Sequence, residues 1–190
     1  MINQALAWGT FVDPPGSIGL LTRWRIDQVP HQHEFYQHHI KRRLPEAENR
    51  KAFVIISDAF RYEAAHELTQ ELNGKYRFEA ELTSQLGVLP SYTALGMAAL
   101  LPHTSLTYKP NGDVLVDDRP SASLDQRHDI LVGVEGTVCK ADELLAMKKE
   151  EGRKVVSGKK VVYFDHRYGE YRSWLASSTL DQLITVSPDV

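Results

Sequence analysis

Cysteine is nearly absent from this chain. Cys139 stands alone among 190 residues, which excludes an internal disulfide framework and a zinc site built from clustered thiolates. Long apolar runs are missing as well. None approaches the ~20 residues that cross a bilayer, and the amino terminus lacks the basic-then-apolar order of a secretory leader. Neither sign of charge dominates, since 22 Lys+Arg face 25 Asp+Glu for a net charge of −3. With an isoelectric point near 6.2, the chain carries no electrostatic footprint for sequence-independent nucleic-acid binding. There is no repeat, low-complexity tract, P-loop, dinucleotide fingerprint or nucleophile elbow. What remains is 42% hydrophobic and 25% charged, an average globular composition that excludes wholesale disorder. These absences predict a soluble, cytoplasmic protein of one domain, or one domain with an arm.

Breakers organise the first part of the chain. Asp13-Pro14-Pro15-Gly16 and Val29-Pro30 interrupt any apolar period, so residues 1–32 are expected to form an irregular arm. Phe35, Tyr36, Ile40 and Leu44 then recur at helical spacing up to Pro45. Ala52-Phe53-Val54-Ile55-Ile56 is a short β-branched and aromatic run that fits a strand buried on both faces. A helix is predicted over 61–72, stopped by Asn73-Gly74, and an alternating strand over 76–83; together they predict a right-handed βαβ unit. A short helix follows Pro90-Ser91 as far as 100 or 101, and Pro110-Asn111-Gly112 signals a hairpin. A single helix is expected over 141–149, with Gly152 beyond its end. Residues 160–164 read as a second buried strand, and Trp174, Leu175, Leu180, Leu183 and Ile184 suggest one amphipathic helix in the tail.

Ligands of open α/β sheets bind outside the carboxyl ends of the strands. Asp58 follows the first apolar strand there. It reads equally as a ligand and as an N-cap or first-turn acid of the next helix. Ser91 and Thr93 place hydroxyls at the start of a helix, where free N–H groups favour phosphate. A hydroxyl there becomes a nucleophile if a metal or base takes its proton, whereas capping by Ser91 is the plainer reading. Asp165-His166 repeats the strand-end arrangement, and Glu170 lies a few residues on. His31, His33, His38 and His39 look metal-rich but read chiefly as a solvated face. Turn chemistry explains Asp113, Asp117 and Asp118.

Two long motifs carry a resemblance. Phe53-Val-Ile-Ile-Ser-Asp-Ala-Phe-Arg-Tyr-Glu63, followed by Gln85-Leu-Gly-Val-Leu-Pro-Ser-Tyr-Thr-Ala-Leu-Gly-Met-Ala-Ala-Leu-Leu-Pro-His103, resembles the PglZ domain of the alkaline-phosphatase superfamily. Members are components of BREX phage-defence systems, and the likeness is to the type A form of type 1 systems, over roughly residues 35–163. It implies an α/β fold, a three-layer α/β/α alkaline-phosphatase-like sandwich. It implies a metal-dependent phosphatase or phosphodiesterase acting on a phosphate ester, with other BREX components as partners. The superfamily holds two divalent metals, commonly zinc, in about seven carboxylate, imidazole and hydroxyl contacts. Asp58 matches the first metal-binding aspartate, Thr93 the metal-bound nucleophile, and His166 a further ligand.

Departures accompany the match. Asp165 replaces the tyrosine of the family's Tyr-His-Asn/Asp-x-Ile/Val-Asp segment, Glu170 stands where its last aspartate would, and no Asp-His-Gly occurs anywhere. Most family ligands are therefore missing. The expectation is an incomplete sandwich: an arm over 1–32, a partial PglZ domain over 33–168 and a divergent tail over 169–190, as from truncation or a frameshift near 164–170. The alternative is a catalytically inactive remnant or interaction module of the same fold.

Overall fold

The two apolar runs form the centre of the molecule. In the computed structural model, which describes residues 24–44, 50–58, 60–76, 78–166 and 180–188, strand β1 (Ala52–Ser57) pairs in parallel with β7 (Val161–His166). The register runs from Ala52 opposite Val161 to Ser57 opposite His166. Strand β6 (Gly136–Lys140) pairs in parallel on the far side, giving the order β1-β7-β6. A central parallel strand has neighbours on both sides and cover on both faces. Val161, Val162, Tyr163 and Phe164 are accordingly all buried.

Strand β1 corrects its expectation. Val54 is buried, but Phe53 and Ile55, on the opposite face, are 55% and 69% exposed. The run is apolar enough for a central strand, yet among the described residues it has a neighbour on one side only.

The core gathers on the Val54 face. Val54, Val161 and Tyr163 cluster there with Leu95 and Ala98 of α2 (Thr93–Ala99), Ile130 and Leu131 of α3 (Leu124–Val132), and Val114 and Val116 of β4 (Val114–Val116). The Tyr163 hydroxyl donates to the Leu100 carbonyl at 2.8 Å, so the buried phenol keeps a partner. Helix α3 starts in a capping box. Gln126 N–H reaches Ser123 Oγ at 3.2 Å, and Ser123 N–H reaches Gln126 Oε1 at 3.1 Å. Strand β6 then begins at Gly136, where a Cβ would stand 3.1 Å from the Leu131 carbonyl and 3.2 Å from that of Val161. A side chain here would have to push helix, turn or strand back by a few tenths of an ångström.

The predicted βαβ unit does not form. Helix α1 (Tyr62–Lys75) leads into β2 (Phe78–Leu86), but β2 pairs antiparallel with β8 (Leu180–Pro188), in a ribbon separate from the parallel sheet. The reason is legible in the alternation. Ala80 is buried while Glu79 and Glu81 are exposed, a pattern suited to a ribbon with one wet face rather than to a sheet covered on both. Helix α1 packs chiefly on this ribbon. It also runs through Asn73-Gly74. The Asn73 side chain accepts from Ala80 N–H at 2.7 Å and donates to Ala80 O at 2.9 Å, tying helix to strand instead of ending the helix. Residues 180–188 are strand, which corrects the expected tail helix; Trp174 and Leu175 lie outside the described residues.

The hairpin at Pro110-Asn111-Gly112 is present, joining β3 (Leu106–Tyr108) to β4, with Gly112 at φ 90°. A second tight turn, Asp117-Asp118, leads to β5 (Arg119–Pro120); its φ values of 46° and 63° are those of a type I′ turn. Two helices are corrected in detail. Residues 33–44 form a 3-10 turn (Gln32–Glu34) and a π-helical segment (Tyr36–Lys41) rather than an α-helix. Residues 141–156 form α4 (Ala141–Ala146) and α5 (Lys149–Val156), with Gly152 inside α5 rather than past an end.

Candidate functional site

The register of β1 on β7 brings two of the three expected site residues to one place. Ser57 lies opposite His166, so Asp58 and the His166 backbone stand at the same carboxyl edge of the parallel sheet, as expected from the two strand ends. Asp58 is exposed, and it is not a helix cap. Helix α1 starts three residues later with Arg61 as its N-cap, which removes the capping explanation. Asp58 forms no hydrogen bond or ion pair among the described residues. Glu170 lies outside the described residues.

Thr93 is the first residue of α2, and its N-cap is Tyr92, with no side-chain capping bond. The plainer reading of Ser91 as the cap is thereby corrected. Leu95, Ala98 and Ala99 are buried and fix the helix on the core, while Thr93 is exposed and its hydroxyl has no hydrogen-bond partner among the described residues. It is accessible, and no described residue stands within hydrogen-bond reach to take its proton.

The residue that follows β7's aromatic run has other work. Asp165 is 8% exposed and receives the Arg127 guanidinium, Nη1 to Oδ2, at 3.3 Å. Arg127, 5% exposed, also donates to the Ser123 carbonyl at 3.3 Å and the Ala122 carbonyl at 3.4 Å. This buried pair braces the strand immediately before His166. Sequence reasoning missed Arg127 because an arginine in a helix reads as surface; only the Ser123-x-x-Gln126 capping box announced that helix.

The histidine cluster divides among separate neighbours. The His31 and His33 rings lie 5.0 Å apart, His38 faces Glu34 at 3.7 Å, and His39 stacks on Phe35 at 5.5 Å. Burial, reinforced by Arg43 and His38, lowers the His39 pKa, and its Nδ1 has no hydrogen-bond partner among the described residues. Asp117 does turn work, as expected: it accepts Thr104 N–H at 3.0 Å and Ser105 N–H at 2.7 Å. Burial alone would raise its carboxyl, but these bonds outweigh burial and hold it below its usual range. A cavity of about 340 Å³ is lined by Lys41, His103, Asp117, Arg119 and Val134 among others, none of them a residue of β1, β6 or β7.

The described residues do not assemble a metal cage. Among them no group of three or more His, Cys, Asp or Glu side chains is placed to hold an ion.

Comparison with known proteins gives the family. Residues 35–167 match the family described as the BREX system PglZ alkaline phosphatase-like domain. A protein of Escherichia coli O9:H4 (strain HS), named alkaline phosphatase-like protein BrxZ, is 48% identical over 145 residues, which is 75% of this chain and 17% of that protein. Alkaline phosphatase-like protein PglZ of Bacillus cereus (strain H3081.97) is 41% identical over 145 residues, with the same coverage of 75% and 17%. The chain therefore spans a small part of the length of these relatives. No solved structure matches it.

Proposed function

The chain belongs to the BREX-system PglZ alkaline phosphatase-like family, and from that premise we propose that it serves a cytoplasmic phage-defence system as part of a phosphate-ester-directed PglZ component. In this reading the parallel sheet is the front of an α/β/α sandwich. Asp58 is the first metal ligand, Thr93 the nucleophile and His166 a further ligand, with a divalent ion such as zinc as the cofactor. A bound metal would supply a lowered hydroxyl pKa and neutralisation of phosphate charge. The described residues do not by themselves complete that cage.

One observation carries the second half of the proposal: no three ligand-type side chains converge among the described residues. In this reading the part of the chain that the structure describes acts as a non-catalytic module of the family fold. A hydroxyl has little nucleophilic power until something holds its proton, and each factor of ten in rate corresponds to about 1.4 kcal/mol of barrier. Loss of a metal centre removes several such factors. Hydrolysis of p-nitrophenyl phosphate and its diester, assayed with added zinc or manganese, is expected at background. Turnover that disappears in Thr93→Ala and in Asp58→Ala would establish a complete site and overturn this reading.

A further inference from the structure

Residues ahead of the family match are bound to the loop that leads to Thr93. Three consecutive residues of that loop each hold a hydrogen bond to the stretch 24–32. Leu86 N–H donates to the Pro30 carbonyl at 2.7 Å, the Gly87 carbonyl accepts from Trp24 Nε1 at 2.6 Å, and Val88 N–H donates to Gln32 Oε1 at 3.1 Å. His31 forms a parallel bridge with Leu86 as well. None of these partners belongs to the matched segment 35–167.

Gln32 reaches further than the others. It is 7% exposed, and its one side chain touches both ends of the segment that presents Thr93. Oε1 holds Val88 on the near side. On the far side the amide lies against Gly96, where a Cβ would stand 3.4 Å from Nε2 and 3.9 Å from Oε1. Gly96 is about one helical turn beyond Thr93, and its N–H donates to the Tyr92 carbonyl at 3.1 Å. Between these contacts residues 87–92 are neither helix nor strand, so no backbone ladder fixes their path. The Gln32 backbone is itself held in a 3-10 turn, with Glu34 N–H on the His31 carbonyl at 3.0 Å.

We propose that Gln32 is a positioning residue for Thr93: it ties Val88 to the first turn of α2 and thereby sets where the Thr93 hydroxyl stands. The assignment rests on the reading of Thr93 as the nucleophile. A reacting group must be held to about 0.5 Å by neighbours whose own side chains are locked, and a misplacement of about 1 Å can cost roughly a hundredfold in rate. Leu95, Ala98 and Ala99 seat the helix on the core, and Gln32 adds the hold on the loop that enters it. The stretch 24–32 is then a working part of the site.

Amide hydrogen exchange of the full chain, followed by NMR without metal or substrate, tests the tie by itself. Gln32→Met keeps the length of the side chain but offers Val88 no oxygen. Val88 should then exchange about tenfold faster. Gly96 should follow by about threefold or more, although its own bond to the Tyr92 carbonyl is untouched, while Val162, Tyr163 and Phe164 of β7 keep their rates. Gln32→Glu retains the oxygen and should restore both amides. Acceleration at Val88 alone would show a local bond with no hold on Thr93. Equal acceleration in β7 would show a general loss of stability. Either result, parental rates in Gln32→Met, or a Gln32→Glu chain as fast as Gln32→Met would overturn the proposal. The parent carries a second reading that needs no variant: in low urea Val88 and Gly96 should open together and ahead of β7, and separate opening would equally overturn it. No turnover is read, so failure here leaves the role of Thr93 to the hydrolysis assay, and failure of that assay leaves the tie standing.

Discussion

Removing the guanidinium partner of Asp165 is the sharpest probe of the braced sheet edge. In Arg127→Met the helix propensity and volume of the side chain are roughly kept, while Asp165 loses the one hydrogen-bond donor that the described residues give it. The carboxylate is 8% exposed, so water cannot simply replace the arginine. Breaking a buried pair from one side costs about 3–5 kcal/mol, because an uncompensated charge stays behind. For a chain of this size each kcal/mol lowers the melting temperature by about 2–4 °C, so the expected drop is roughly 6–20 °C. Asp165→Asn should cost less. Arg127 keeps the Ser123 and Ala122 carbonyls, and the amide oxygen can still accept, which places the loss nearer 1–3 kcal/mol. Replacing both partners, Arg127→Met with Asp165→Leu, should recover most of the loss, since an apolar pair has no desolvation penalty. Circular-dichroism melts and urea titrations read all three. A drop below about 2 °C for Arg127→Met, with helix content unchanged, would mean that the carboxylate is hydrated and that the bracing argument fails.

Two predictions concern pH. Burial pushes the Tyr163 phenol far above its ordinary value of 10.0, so its stabilising contribution is complete below that pH and falls away as pH rises above it. Tyr163→Phe should cost about 1–3 kcal/mol at pH 7, by leaving the Leu100 carbonyl unpaired, yet should be less sensitive to alkali in melts above pH 10. A variant as alkali-sensitive as the parent would refute this. At the acid end, burial lowers His39 and His33 below the ordinary 6.5, so the unfolded chain binds protons more readily. Stability is then complete above that value and declines as pH falls through it. His39→Leu should flatten the decline between pH 7 and 5, and an unchanged slope would count against it.

Legibility in the sequence followed the range of the forces. The β-branched runs at 52–56 and 160–164 are strands because each residue's preference and its neighbours agree. Which of the two is central depends on partners more than a hundred residues away, so the exposure of Phe53 and Ile55 was invisible. The same limit hid β2's choice of β8 over the parallel sheet, although the charges alternating at Glu79 and Glu81 were a usable sign. Helix α3 was missed because Arg127, His128 and Asp129 break the apolar stripe, and Arg127 is buried only because Asp165 waits 38 residues on. As candidates, Asp58 and Thr93 were legible through two long motifs. Their freedom from capping duty was not, since it depends on where each helix begins, and boundaries are the least determined feature of a helix.

The separation of pairing partners along the chain also sets an order of assembly. The meander β3-β4-β5 joins residues only a few positions apart and is complete as soon as that stretch leaves the ribosome. Strand β1 must wait for β7, about a hundred residues later, and β2 must wait for β8. Contacts of such long reach form late, because chain closure comes before any reward. During synthesis, then, Ala52–Ser57 spends its first moments with both edges open, and the nascent chain is stickiest along a strand that, among the described residues, is paired on one side only.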